Sequence, residues 1–445
     1  MLAIALALQT KNVLLSLFGG IFLGLFILHD FSFLQTLEAL VSLFTTLLTT
    51  PWILKTLGFA LLVGSIMELI ERSGGIEGFI EYLQNKKELV TSQRSALLLS
   101  YAIGVLIFVE SSITSLIAGA VGKPLCDRYK IPHAKLAYVC DSTSAPVCSL
   151  LVLNGWGALL LGLVTAQISL HAIDAQAVSL LIDGVLYNFY AMSALAITFA
   201  VIWFKIDIGP MRRAAYVQHA KHHKGGKKAD PSFMLLPLAL MIVLVFVFLY
   251  LTGEGNIFAG SGSSSIFYTM LSTLLFTLLY FVGRKNMSLG MWSKTSLRGA
   301  KKLFPVTMIL LFAFAIGEVT SQLQTGLYLA SLVSETIDVH LLAASIFLLS
   351  SLISFATGTS WGTFSIMIPV AVPMALGVDA NVALCIGAVI SGGVFGDHCS
   401  PISDTTIISS MASDCEVVEH VTTQLPYALL SGFFALLLFI VISFY

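Results

Sequence analysis

Charge is scarce in this chain, and basic charge is absent from its last third. Only 11% of the 445 residues are charged, against about 25% in ordinary soluble proteins. By contrast 57% are hydrophobic, and the mean hydropathy is +0.93. These values exclude a water-soluble globular domain and leave a polytopic membrane protein as the class. A net charge of -1 offers no basic surface for nucleic acid. No Lys or Arg follows Lys302, yet Glu318, Glu335, Asp338, Asp379, Asp397, Asp404, Asp414, Glu416 and Glu419 do. A carboxylate in lipid costs roughly 3 kcal/mol unless it is protonated or meets a cation. If the protein supplies no cation, a mobile ion or proton is the expected partner.

Other absences narrow the chemistry. The six cysteines, Cys126, Cys140, Cys148, Cys385, Cys399 and Cys415, show no CxxC spacing, so they read as small packing residues rather than bridges or zinc ligands. No nucleophile–base pair or metal-ligand spacing stands out, so an enzyme is not expected. The opening MLAIALALQTK lacks a charged leader and a cleavage site, so no signal peptide is expected.

What is present is a series of apolar segments with polar interruptions. Apolar spans are predicted near 13–28 and 52–69, with a less uniformly apolar segment at 31–50 and a polar arm over 74–94. Segment 95–122 is broken at FVESSITS (108–115), which contains Glu110 and Ser111, and basic loops flank it on both sides. A re-entrant hairpin is therefore expected. Residues 134–168 form a helix broken at DSTSAP (141–146), which contains Asp141, Ser142 and Ser144. A closing span, 178–204, leads to the densely basic linker 205–232. Its His219, His222 and His223 fit a solvated segment better than a metal site. Two spans, 233–251 and 265–282, lead to a second basic loop, 284–302. Both basic loops are expected on the cytoplasmic side and the C-terminus outside.

The second half repeats this order. A span at 303–319 is followed by a hairpin, 341–376, broken at FATGTSWGT (355–363), which contains Thr357, Thr359 and Ser360. A helix, 381–412, is broken at DHCSPISDTT (397–406), which contains Asp397, Ser400, Asp404 and Thr405, and a final span follows, 426–445. Basic loops flank the first hairpin and not the second, which predicts an all-α fold of two inverted repeats, 1–204 and 233–445, with hairpin tips meeting near the midplane. The acidic stretch 413–424 conflicts with that sidedness, although acids weigh little in the rule.

Unwound carbonyls, hydroxyls and carboxylates are hard oxygen ligands suited to an alkali cation. Carboxylates also titrate, so protons and Na+ would compete for one site, which is sufficient for exchange. The alternative for any single buried Asp, Ser or Thr is a helix cap or an interhelical hydrogen bond. Glu68 and Glu318 read as interfacial, His398 as either a pH-sensing or a packing residue, and Trp361 as a buried aromatic or a cover for the tip.

GTSWGTFSIMIPVAVPMA (358–375), followed by GGVFGDHCSPISDTTIISS (392–410), resembles the NhaC family of Na+/H+ antiporters within the ion transporter superfamily. The resemblance is strong over these two motifs and weaker in the first half. It implies a secondary transporter of the cytoplasmic membrane, a homodimer with a scaffold and a mobile domain working by an elevator movement. It also implies Thr359, Ser360, Asp397, Ser400, Asp404 and Thr405 at or beside the ion site, with Na+ held by Asp397, Asp404, Ser400 and Thr359. The rival reading is a Na+- or H+-coupled carrier of a small organic ion such as a carboxylate, amino acid or amine. A channel is disfavoured, because two re-entrant tips meeting midway make a gated site.

Overall fold

The computed structural model describes the chain except residues 1, 3–5, 7, 8, 11, 77, 80–89, 109, 110, 152, 153, 217–229, 257–259, 325–327, 329–337 and 445, and the side chains of Val13, Ser112, Ile113, Val306 and Asp404. Every regular element among the described residues is helical. In chain order these are α1 (Val13–Leu28), α2 (Phe33–Thr49), α3 (Pro51–Arg72), α4 (Gln93–Leu106), α5 (Ser111–Tyr129), α6 (His133–Ser142), α7 (Ala145–Leu150), α8 (Gly155–His171), α9 (Ala177–Leu186) and α10 (Phe189–Phe204). The second half contributes α11 (Ser232–Thr252), α12 (Gly262–Gly283), α13 (Leu289–Gln322), α14 (Leu342–Thr357), α15 (Ser360–Gly377), α16 (Val382–Cys399), α17 (Asp404–Ser413) and α18 (Val417–Ile442). Among the described residues ten helical segments are long and apolar enough to cross a membrane.

One group of helices forms around α3 and α13, which pack along their length with α1 and α12 beside them. Gly64 and Gly299 meet at this crossing, and a Cβ on either would collide with the other's carbonyl oxygen. Small residues permit this close approach where lipid offers no hydrophobic drive. At the same interface Glu68, 7% exposed, pairs with Lys302 and lies 4.0 Å from Arg298. The Glu68 carboxylate is therefore paired at a helix contact.

The second basic segment differs from expectation. Residues 284–302 are not a loop: α13 starts at Leu289 and runs unbroken for 34 residues into the apolar span. Ser288 caps it by accepting from the Met291 N–H, and Lys294, Arg298, Lys301 and Lys302 are good helix formers whose charged ends reach water from the helix surface. Only 284–288 form the turn. The His219, His222 and His223 linker lies outside the described residues.

A second group is built from two helix pairs and two interrupted helices. The α4–α5 pair packs on α6, and α14–α15 packs on α16; α17 lies against α5 and α6, while α10 and α18 pack together and cover α16. Helix α8 joins the groups by packing on α15, α13 and α3. The acidic 413–424 stretch finds its charge balance here, because Asp414 at the end of α17 pairs with Lys123 of α5 at 2.5 Å. Lys135 at the start of α6 likewise pairs with Asp207 at 2.6 Å.

Candidate functional site at the helix breaks

Four interruptions bring polar groups into the interior of the second group. Helix α14 ends because Gly358 takes a left-handed φ of +66, its N–H donating to the Ser354 carbonyl at 2.8 Å. Helix α15 starts at once, with Thr359 Oγ1 accepting from the Gly362 N–H at 3.4 Å. A Cβ at Gly358 would stand 2.8 Å from Ile402 Cγ1 and 3.0 Å from the Ile402 carbonyl oxygen. Gly358→Ala therefore faces both the left-handed penalty of about 1–2 kcal/mol and a collision with the neighbouring break. The expected outcome is a lower melting temperature and reduced transport, and a thermal melt beside a transport assay checks it.

Helix α16 stops at Cys399, where Pro401 supplies no N–H and Ser400 Oγ donates to the Phe355 carbonyl at 2.9 Å. Ser400 thus ties the break to the α14–α15 tip. In the first half, α6 stops at Ser142. Ser144 Oγ donates to the Asp141 carbonyl at 2.9 Å, and α7 restarts with Pro146 in its first turn. Between α4 and α5, Thr114 Oγ1 donates to the Ile107 carbonyl. Asn154 Nδ2 donates to the carbonyls of Phe108 at 2.9 Å and Cys148 at 2.8 Å, which stitches this tip to the start of α8.

Two buried carboxylates result. Asp397 is 2% exposed, and Ser360 Oγ lies 2.9 Å from its Oδ2. The same hydroxyl lies 3.1 Å from the Gly393 carbonyl, which also accepts from Ser354 Oγ at 2.5 Å. A carboxylate, two serine hydroxyls and a main-chain carbonyl make an all-oxygen set, the donor chemistry that hard cations take.

Asp141 is fully buried. Its Oδ2 lies 3.2 Å from His420 Nε2, 2.8 Å from Gln424 Nε2, 3.4 Å from Thr406 Oγ1 and 3.8 Å from His398 Nε2. Its Oδ1 has no hydrogen-bond partner among the described residues. His398, next in sequence to Asp397, reaches toward Asp141 and away from its neighbour: its Nδ1 lies 2.6 Å from the Tyr190 hydroxyl and its Nε2 3.3 Å from Ser142 Oγ. Gln424 Nε2 also donates to the His398 carbonyl at 2.6 Å. This network joins α6, α10, α16, α17 and α18.

The expected residues distribute unevenly over this geometry. Ser360 meets Asp397, while Asp141 and Ser142 enter the histidine network. Thr405 and Ser403 contact each other at 3.0 Å. Thr357 Oγ1 donates to its own helix, to the Ile353 carbonyl at 2.8 Å, while Thr359 serves as a cap and Ser400 holds the tip. Ser111 is buried at the first residue of α5. Glu110 and the Asp404 side chain lie outside the described residues.

No Lys or Arg pairs with Asp141 among the described residues; two imidazoles, His398 and His420, stand 3.8 and 3.2 Å from it, and each is a cation only when protonated. Sequence reasoning missed His420, Gln424, Tyr190 and Ser354. A signal existed for two of them, since His420 and Gln424 stand four residues apart and share one face at the start of an otherwise apolar helix. Trp361 packs edge-on against Trp156 at 6.1 Å, as an interior aromatic.

Comparison with known proteins identifies the family. The model of the Na+/H+ antiporter family matches residues 153–444. A Haemophilus influenzae protein, itself uncharacterised, is 33% identical over 96% of this chain and 86% of its own length. A second protein of that organism, described as an uncharacterised Na+/H+ antiporter, is 42% identical over 19% of each chain. The malate-2H+/Na+-lactate antiporter of Bacillus subtilis is 38% identical over 22% of each. In fold, the chain is similar to the Alcanivorax borkumensis YdaH transporter, with a TM-score of 0.64 and 18% identity over 91% of this chain and 88% of that one. It is also similar to Neisseria gonorrhoeae MtrF, with a TM-score of 0.60 and 14% identity over 94% and 85%. Together with the apolar helices and the oxygen-lined interior, the family match over residues 153–444 establishes that this chain belongs to the Na+/H+ antiporter family.

Proposed function

We propose that this multi-pass membrane protein exchanges Na+ for protons at the helix breaks, with the two ions competing for buried carboxylates. The observation that carries the reading is a pair of carboxylates, Asp141 and Asp397, each under 3% exposed, at the interruptions of two different helices, with His398, the residue after Asp397, standing 3.8 Å from Asp141. An ionised carboxylate in such a place is costly without a positive partner. Na+ binding offsets that cost in one state and protonation does so in the other. A carrier obeying that alternation moves one species against the other.

In this proposal Na+ lies against Asp397, with Ser360, Ser354 and the Gly393 carbonyl completing the oxygen set and Ser400 and Thr359 shaping the tip. Thr405 near the head of α17 and Ser111 at the start of α5 are buried beside these breaks, and by their place in the sequence Asp404 and Glu110 are proposed to join the ion site. Asp141, with Ser142, Ser144 and Thr406, is the carboxylate of the opposing break. The helix ends freed at the breaks add dipoles that favour ions there.

The proposal extends to architecture. Two inverted repeats, 1–204 and 233–445, would each contribute a re-entrant hairpin and a broken helix. The unit carrying both would move against α3, α12 and α13 as an elevator, within a homodimer in the cytoplasmic membrane. The support is the shared order of parts in both halves and packing that is denser within each helix group than between them. The uneven distribution of basic residues supports a cytoplasmic position for 205–232 and the α13 start, and a C-terminus outside.

Proteoliposomes with an acidic lumen and an internal pH dye test the function: Na+ added outside is expected to enter as protons leave, so the lumen alkalinises. Failure of Na+ to dissipate any pH gradient would remove the antiport reading. Ser360→Ala removes a hydrogen bond to a charged group, about 1.5–3 kcal/mol. It should raise the Na+ concentration for half-maximal exchange roughly tenfold or more, with the maximal rate less affected.

A further inference from the structure

Away from the helix breaks, an open pocket of about 100 Å³ lies where the starts of α4 and α6 meet the end of α10. Arg94, Lys135, Lys205 and Asp207 line it, with Gln93 at its edge. Three cations face one carboxylate, and that carboxylate is already matched by Lys135 at 2.6 Å. Among the described residues Arg94 and Lys205 are therefore surplus positive charge in this pocket.

Arg94 is held in place by an aromatic ring and pairs with no acid among the described residues. Its guanidinium lies 5.3 Å over the Trp203 ring, and its buried Nε has no hydrogen-bond partner among the described residues. Lys205 is exposed and ends α10 in the left-handed conformation, with φ +57. Beside this rim α10 presents Phe199, Trp203 and Phe204, which are 43%, 44% and 69% exposed. Phe199 and Trp203 stack at 5.6 Å into a continuous aromatic strip. The helix lies in a segment, Phe189–Arg213, that is long and apolar enough to cross a membrane and only about one-third buried, which is the setting in which an exposed aromatic strip meets lipid.

A basic pocket directly above a lipid-facing aromatic strip matches one ligand in two parts. We propose that this pocket binds the phosphate headgroup of an anionic phospholipid, with Arg94 and Lys205 on the phosphate oxygens and an acyl chain along Phe199 and Trp203. Arg supplies a planar fork suited to phosphate, and Lys a point charge. Basic pockets between helices at a membrane surface take anionic headgroups for this reason. The phosphate chemistry alone would also admit a soluble phosphate compound; the aromatic strip favours the lipid. The site is independent of the ion-exchange reading, since neither carboxylate at the breaks is involved.

Native mass spectrometry of the purified full-length chain, titrated with phosphatidylglycerol, phosphatidylcholine or inorganic phosphate, tests this. Phosphatidylglycerol should be retained and phosphatidylcholine should not. Arg94→Gln and Lys205→Asn should each weaken retention about fivefold, and Lys205→Asn, on an exposed turn that Asn tolerates, covers the case in which the arginine variant misfolds. Lys285→Asn, at another exposed left-handed lysine, should leave retention unchanged. Equal retention of both lipids, an equal loss in Lys285→Asn, or displacement of phosphatidylglycerol by inorganic phosphate at similar concentration would overturn the assignment.

Discussion

Asp397→Asn is expected to abolish Na+-dependent proton movement while leaving the protein folded. Asparagine has the same shape and still accepts from Ser360 Oγ, which lies 2.9 Å from the native carboxylate. The carboxylate's negative charge disappears, and with it the attraction for Na+ and the ability to take a proton. Removing one charge of a buried pair costs about 3–5 kcal/mol, so Na+ binding should weaken by roughly 100-fold or more. Stability should change little, or rise, because a buried charge has been replaced by a neutral amide. Isothermal titration with Na+ and a thermal melt on the same preparation separate the two effects. A variant that still exchanges at wild-type rates would show that the ion is held elsewhere.

Asp141→Asn should behave differently, because Asp141 holds the second group of helices together. Its Oδ2 stands at the centre of His420, Gln424 and Thr406, contributed by two helices of the second half. An amide has one acceptor oxygen and presents N–H donors where three donors already converge. The expected loss is about 2–5 kcal/mol of stability, together with loss of exchange. Gln424→Glu, which puts a second acid beside the first, should destabilise in the same way. Equal melting temperatures for wild type and Asp141→Asn would contradict the central place given to that network.

The sequence made the interruptions legible because each is written in local chemistry. Gly358 at a left-handed turn, Pro401 after Cys399 and Pro146 after Ser144 are signals that need no knowledge of distant neighbours. The hydroxyl runs beside Asp141 and Asp397 stand out for the same reason, against apolar surroundings. Contacts made across hundreds of residues were not legible. His420 reaches Asp141, and Lys302 reaches Glu68, only after the helices have packed. The missing basic residues of the last third were only half informative, since Lys123 from the first half balances Asp414. The basic segment at 289–302 shows the converse limit: charge placed it at a membrane surface, but charge alone does not distinguish a loop from a solvated helix, and Ser288 with its helix-forming successors decided for helix.

Competition between Na+ and protons has one direct signature in the purified protein. Na+ binding measured calorimetrically in two buffers of different ionisation enthalpy reports the protons released. Competition requires release on binding, an apparent Na+ affinity that falls as the pH is lowered, and loss of both in Asp397→Asn. Na+ binding with no proton release at any pH, or release that persists undiminished in Asp397→Asn, would contradict it.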